Sequence, residues 1–359
     1  SGRGHSSVHF SARSPQGARS PEAALAALLG LAVVLPRRGS TRGCRRMALA
    51  TEAGPCRTMQ DAGVLLIEHL NLNVSSTQVA LEFYEALGCC RDARRPMGKT
   101  LHSNCGALTQ FHTPSPENEA YIADAGPQQW RGVISVAYVS RSELQEAVQR
   151  LEQLKRQEHF RETQLEVGSW QEESQELPLR GPYGNRFRLH VASAPLALAL
   201  GRGEGQPGRP GSDGSRCVGM DTLTLEVPVG TAERAAQFYK EVLGCQVVAS
   251  SSDSAVRAGP ELQQTLRFQE VEGSTGAELG EHMAIYVADF EGCFQRLLDR
   301  GLIWVNPRFV HLDKSTTLEE ALHYSCFRFK DVVDVSTGEK LFELEHEVRN
   351  TKHKSWPMA

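Results

Sequence analysis

In Ile67-Glu-His-Leu-Asn-Leu-Asn-Val74 polar and apolar residues alternate from His69 to the end. A strand here turns His69, Asn71 and Asn73 to one face and Leu70, Leu72 and Val74 to the other. The apolar face needs a helix against it, and one follows. Val79, Leu81, Phe83, Tyr84 and Leu87 recur at helical spacing, Ser75 or Ser76 can cap the start, and Gly88 suits the position just past the end. The polar face is left to look into a cavity.

This unit returns. Met220-Asp-Thr-Leu-Thr-Leu-Glu-Val227 repeats the alternation, and Phe238-Tyr239 through Leu243-Gly244-Cys245 repeats Phe83-Tyr84 through Leu87-Gly88-Cys89. An offset of about 155 residues is near one whole domain and outside the periods of solenoid repeats. Each half holds a fainter echo: Ser135-Val-Ala-Tyr-Val139 precedes a helix carrying Val148 to Leu151, and Met283-Ala-Ile-Tyr-Val287 precedes one carrying Phe294 to Leu297. Four similar modules, paired two and two, are expected.

With 359 residues there is room for two sizeable cores. The net charge of −4 hides an asymmetry, because residues 1–50 hold eight arginines and one glutamate, leaving 31 basic and 42 acidic residues elsewhere. A body that acidic is a poor nucleic-acid binder. The nine cysteines show no CxxC pair, so zinc-ribbon and thioredoxin-like chemistry are not indicated, and buried thiols in a reducing compartment are expected. No Gly-x-Ser-x-Gly elbow is present. Cys89 and Cys90 follow a helix C-terminus, whose dipole disfavours a thiolate nucleophile.

Residues 1–58 read as a targeting leader or a disordered basic tail. Ala23 to Leu35 is too short an apolar run to span a bilayer, and Arg37, Arg38, Arg42, Arg45 and Arg46 follow it with no acid before Glu52. The pattern resembles an organellar leader, plastid before mitochondrion. The expected organisation continues with a first domain at 63–194, a Gly/Pro-rich linker at 195–216, a second domain at 219–348 and a tail at 349–359. Gly201-Arg-Gly-Glu-Gly205 lacks the strand and helix of a nucleotide loop. Closing strands are expected at Leu322 to Val332 and Lys340 to Val348.

The strand, helix and three-strand order, the Phe-Tyr…Leu-Gly helix ending and the Gly184-Asn185 turn before Arg186 to His190 resemble the vicinal oxygen chelate superfamily, which groups glyoxalases, bleomycin-resistance proteins and extradiol dioxygenases. The resemblance implies an α+β fold in which tandem βαβββ modules pair into two glyoxalase-like domains. It implies cups holding a divalent metal (iron, manganese, nickel or zinc) on ligands from the first and last strands. Matched residue by residue, the ligand positions fall on His69, Gln110, Ile134 and Arg188 in the first half, and on Thr222, Arg267, His282 and Glu343 in the second. Only His282 and Glu343 fit a metal there, with Glu343 also the catalytic candidate; a hydrogen-bonded histidine and a solvated glutamate are equally open readings. In the first cup His69, Asn71, Asn73, Gln110, His112, Arg186, Arg188 and His190 are expected to converge on a carboxylate or phosphate. Ion pairs of these arginines with Glu162 or Glu166 would equally account for them.

The implied function is binding of a small anionic or oxygen-rich molecule, with a lactoylglutathione-lyase-like or dioxygenase activity centred on the second domain. The alternative is a catalytically silent relative acting as a binding module or as a subunit of an organellar assembly. A monomer or homodimer is compatible with either.

Overall fold

A computed structural model of the chain describes residues 63–96, 98–117, 126–201, 209, 211–248, 253–277, 280–311 and 313–358. The expected leader lies outside these residues, as do positions 202–208 of the glycine-rich stretch. Among the described residues no helix is long and apolar enough to cross a membrane.

The fold is α+β and is built from the four modules. The first comprises β1 (Val64–Asn71), α1 (Thr77–Leu87), β2 (Cys90–Arg91), β3 (Thr100–Cys105) and β4 (Thr109–Pro114). The second comprises β5 (Gly132–Tyr138), α2 (Arg141–Leu154), β6 (Glu166–Val167), β7 (Glu176–Arg180) and β8 (Arg186–Val191), with a short α3 (Ala194–Ala199) after it. The third comprises β9 (Cys217–Val227), α4 (Ala232–Leu243), β10 (Gln246–Val248), β11 (Asp253–Ala258) and β12 (Gln264–Glu270). The fourth departs from the pattern: β13 (His282–Val287) and α5 (Phe290–Leu298) lead to α6 (Leu318–Tyr324), then β14 (Cys326–Val333) and β15 (Lys340–Arg349). Leu322 is therefore helical where a strand was expected. A capping box of Thr317 and Glu320 starts α6, and Ser325 ends it in a left-handed conformation.

Helix α1 forms as its sequence dictates. The Ser76 hydroxyl accepts from Val79 N–H, and Gly88 closes the helix at φ 103°. Its buried face carries Ala80, Phe83, Tyr84, Ala86 and Leu87. The repeated Phe-Tyr pair is a core device in both copies: Phe83 and Tyr84 pack on Phe187 and Phe111, while Phe238 and Tyr239 pack on Phe329 and Phe268. Burial of each such ring is worth about 1.5–3 kcal/mol.

The pairing of modules differs from the sequential one. One sheet runs β14-β15-β13-β1-β4-β3-β2 and joins the first module to the fourth; the other runs β10-β11-β12-β9-β5-β8-β7-β6 and joins the second to the third. The joints are antiparallel, β1 on β13 and β5 on β9. Neither sheet follows the ranges 63–194 and 219–348. The physical reason is that β1, β5, β9 and β13 carry much the same pattern, and backbone pairing is indifferent to which equivalent strand supplies the edge. The two sheets are stitched together by buried Gln264 of β12, whose amide bonds both backbone groups of Ile67 and the carbonyl of Met220.

The segment after α3 is not a free linker over its described part. Arg209 is buried, its N–H bonds Ala107 O at 2.8 Å, and Ser215 to Cys217 pack beside Gly88. In the tail, the Trp356 ring lies 4.7 Å from that of Tyr286.

Candidate metal centre in the cup of the first sheet

The concave face of the sheet joining modules one and four encloses a cavity of about 590 Å³. Strand registers set its floor. His69 on β1 lies opposite Gln110 on β4 and Ala284 on β13, and Ala284 lies opposite Glu347 on β15. His282 on β13 lies opposite Asn71 and Glu345. Side chains from three strands of two modules thereby meet.

His69, His282 and Glu347 form the centre, with one ligand atom from each, all mutually within 4.8 Å. Glu347 Oε2 stands 3.6 Å from His282 Nε2 and 3.9 Å from His69 Nε2. The edge of a tetrahedron built on ~2.1 Å metal–nitrogen bonds is about 3.4 Å, so small side-chain shifts close the site. His69 Nδ1 is 2.7 Å from Glu68 Oε2, which makes Nδ1 the donor and leaves the Nε2 lone pair inward. That Nε2 is buried and has no hydrogen-bond partner among the described residues. A solitary buried acceptor facing a second imidazole and a carboxylate is the arrangement that a divalent metal satisfies, and the donor set fits one.

The surroundings are ionic and balanced. Arg349 bonds Glu347 Oε1 at 2.6 Å and Glu68 Oε2 at 2.8 Å, so Oε2 of Glu347 is left facing the histidines. Arg209 also bonds Glu68. Arg328 is taken up by Asp313 and by Glu345 at 2.7 Å, with Glu347 Oε2 3.1 Å away, and Arg308 reaches Glu345 at 3.3 Å. Four carboxylates thus meet four guanidiniums. Burial would raise the Glu347 pKa, but Arg349 and Arg328 outweigh it and hold the group well below the usual carboxylate range. Burial, then the charge of Arg349, pushes His69 well below its ordinary value, so its imidazole is neutral. His112 stacks on His69 at 3.7 Å and is likewise held neutral by burial. His102, 4.2 Å from His112, is lowered by burial to about 4.

The expected residues divide between two places. His69, Asn71, Gln110 and His282 line this cavity. Gln110 is committed, since its amide N–H donates to Asn104 Oδ1 at 2.5 Å and its oxygen lies 2.9 Å from His112 Nε2. Asn73, also expected in the cup, is buried with Gln128 accepting from its backbone N–H. Glu343 does not reach the centre: it lies four residues earlier on β15, with Lys340 at 2.6 Å and Lys330 at 3.6 Å. Glu345 and Glu347 share its face of the strand, and the joint with β1 selects Glu347.

Arg186, Arg188 and His190 sit on β8 in the other sheet and do not converge with His69. They are paired there, Arg186 with Glu226 at 2.6 Å, Arg188 with Glu176 at 3.7 Å and His190 with Asp221 at 2.9 Å. The partners are not Glu162 or Glu166: Glu176 comes from β7, the strand next to β8, and Glu226 and Asp221 come from β9, which lies beyond β5. Arg267 pairs with Asp253, and Ser135 is the register partner of both Thr222 and Arg188. Among the described residues, the second sheet brings no metal-ligating trio together in its cup.

Glu347, Glu68, Arg209, Arg328 and Arg349 escape the sequence reading. The alternation Glu343, Glu345, Glu347 offers three equal candidates. The strand pairing that chooses between them is a long-range property.

Residues 220–324, covering the third module and the first part of the fourth, match the family model described as Glyoxalase/Bleomycin resistance protein/Dioxygenase superfamily. No curated protein sequence matches the chain. Among solved structures, a putative dioxygenase from Bacillus subtilis is similar at 13% identity and TM-score 0.48, over 80% of this chain and 86% of that one. Glyoxalase I from Zea mays is similar at 13% identity and TM-score 0.45, over 80% and 92%. The 2,3-dioxygenase LapB from Pseudomonas sp. KL28 is similar at 14% identity and TM-score 0.28, over 82% and 93%. That family match, confined to residues 220–324, lies inside the fourfold strand–helix repeat of the chain.

Proposed function

We propose that the cup of the first sheet is a mononuclear metal centre on His69, His282 and Glu347, serving a lyase, isomerase or dioxygenase that acts on a small anionic, oxygen-rich molecule. The observation that carries this reading is the buried, unbonded Nε2 of His69 aimed at His282 and Glu347. Two imidazoles and one carboxylate with open positions are the set used by non-haem iron oxygenases, which puts dioxygenase chemistry ahead of the other two. A divalent ion bound there supplies Lewis acidity to a substrate oxygen.

The chain's own residues prepare the site. Glu68 fixes the His69 tautomer, and Arg349 anchors Glu347 by its far oxygen. Because the carboxylates and guanidiniums of the cup balance, a divalent cation leaves it net positive. Lys352, Lys354 and Arg95 at the cavity wall add to that field, so an anion is the favoured guest.

The test is substrate screening of the chain reconstituted anaerobically with Fe(II), Mn(II), Ni(II) or Zn(II). Catechols are followed by oxygen uptake and dicarbonyl–thiol adducts by loss of the adduct. Turnover of one class, abolished by Glu347→Ala, is expected. Metal uptake unchanged in that variant, with neither class bound, would overturn the proposal.

A further inference from the structure

A second cluster lies apart from the cup. Cys89, Cys105 and Cys217 are fully or almost fully buried, unbridged, and place their three sulfur atoms mutually within 4.8 Å. They come from three separate pieces of chain: the residue after the α1 cap, the end of β3 and the start of β9. A single hydroxyl gathers them. Ser215 Oγ accepts from Gly106 N–H at 2.8 Å and from Cys217 N–H at 3.3 Å, and donates to Gly88 O at 3.2 Å. Each bonded glycine adjoins one of the cysteines. Glycine is required at Gly106, where φ is +77° and a Cβ would stand 1.9 Å from Val218 O.

We infer that Cys89, Cys105 and Cys217 form a trithiol site for a trivalent thiophilic centre of the arsenic(III) class. Coordination number and charge make the choice. No histidine or carboxylate joins the three sulfurs, so zinc's four-ligand structural site is not complete among the described residues. Three thiolates around a monovalent or divalent ion would leave net negative charge in an apolar core containing Leu87 and Tyr138, which is costly. Arg150, the cation beside Gly88, is partly exposed and lies 3.8 Å from Glu146. A trivalent centre leaves the site neutral. The exchange balances without an oxidant: As(OH)3 and three thiols give As(SR)3 and three waters, each thiol proton leaving with one hydroxide. Entry requires the described end of the connecting segment, residues 211–216, to lift from Gly88.

The experiment uses the whole reduced chain and arsenite, added both to the folded protein and during refolding, with native mass spectrometry and thiol titration after unfolding. The expected result is a mass gain of one arsenic less three hydrogens, and three fewer titratable thiols. Cys217→Ala and Cys105→Ala, checked for folding by circular dichroism, should each weaken binding by about tenfold or more. Absence of the adduct under both conditions, or an adduct of undiminished affinity in both folded variants, would overturn the inference.

Discussion

Glu68→Gln removes one charge from the interior and should weaken both the fold and the metal centre. In the native chain one carboxylate oxygen accepts from Arg209, while the other accepts from Arg349 at 2.8 Å and His69 Nδ1 at 2.7 Å. A glutamine supplies one acceptor and one NH2. Whichever way it turns, N–H groups oppose donors on one side. Arg349 keeps Glu347, but Arg209 has no other acidic partner among the described ion pairs. Leaving a buried ion without its partner costs about 3–5 kcal/mol. The low end, about 3 kcal/mol, is expected because one acceptor survives. His69 is then no longer held as the Nδ1–H tautomer, and loss of such an orienting carboxylate lowers metal affinity about 10–100-fold. Urea denaturation and calorimetric titration with Mn(II) or Co(II) read the two effects separately. A stability loss below about 1 kcal/mol together with unchanged affinity would refute the assigned role of Glu68.

Other perturbations follow from the same geometry. Burial lowers His102 to about 4 and His346 to about 3, so the unfolded chain takes up protons near pH 6.5 that the fold refuses. Stability should therefore fall as pH drops from about 6.5 toward 4, by about 1.4 kcal/mol per pH unit for each histidine. His190 opposes this weakly: its folded pKa is raised, burial being outweighed by Asp221, so its contribution is present below about 6.5 and fades as pH rises. A fluorescence melt from pH 7 to 4.5 showing no decline would contradict it. Gly106→Ala puts a Cβ 1.9 Å from Val218 O at φ +77° and should cost about 3 kcal/mol or more by denaturant titration. Arg188→Ala loses one half-exposed 3.7 Å pair with Glu176, so less than about 1 kcal/mol of stability and no metal affinity should be lost.

The modules were legible because local physics writes them into short stretches. Alternation at His69 to Val74, the Ser76 cap, the Gly88 ending and the Phe-Tyr pair each need only neighbouring residues. What was not legible is which strand sits beside which. His69 was readable as a cup residue, and His282 as a ligand, yet they belonged to separate expected domains. Only the β1–β13 joint unites them and reaches past Glu343 to Glu347. Arg186 and Arg188 misled for the same reason, since a pattern of cations on β8 says nothing about the acids that adjacent β7, and β9 beyond β5, bring within reach. Arg209 was hidden by composition: a Gly/Pro-rich stretch reads as linker, although one of its residues is a buried partner of Glu68.

Metal binding measured side by side in Glu347→Ala, Glu343→Ala, His69→Ala and the native chain tests the centre most directly. Elemental analysis after reconstitution should find about one equivalent of divalent metal in the native chain and in Glu343→Ala, and little in Glu347→Ala or His69→Ala. Loss of metal in Glu343→Ala with retention in Glu347→Ala would contradict the pairing of the first module with the fourth, and the proposed centre with it.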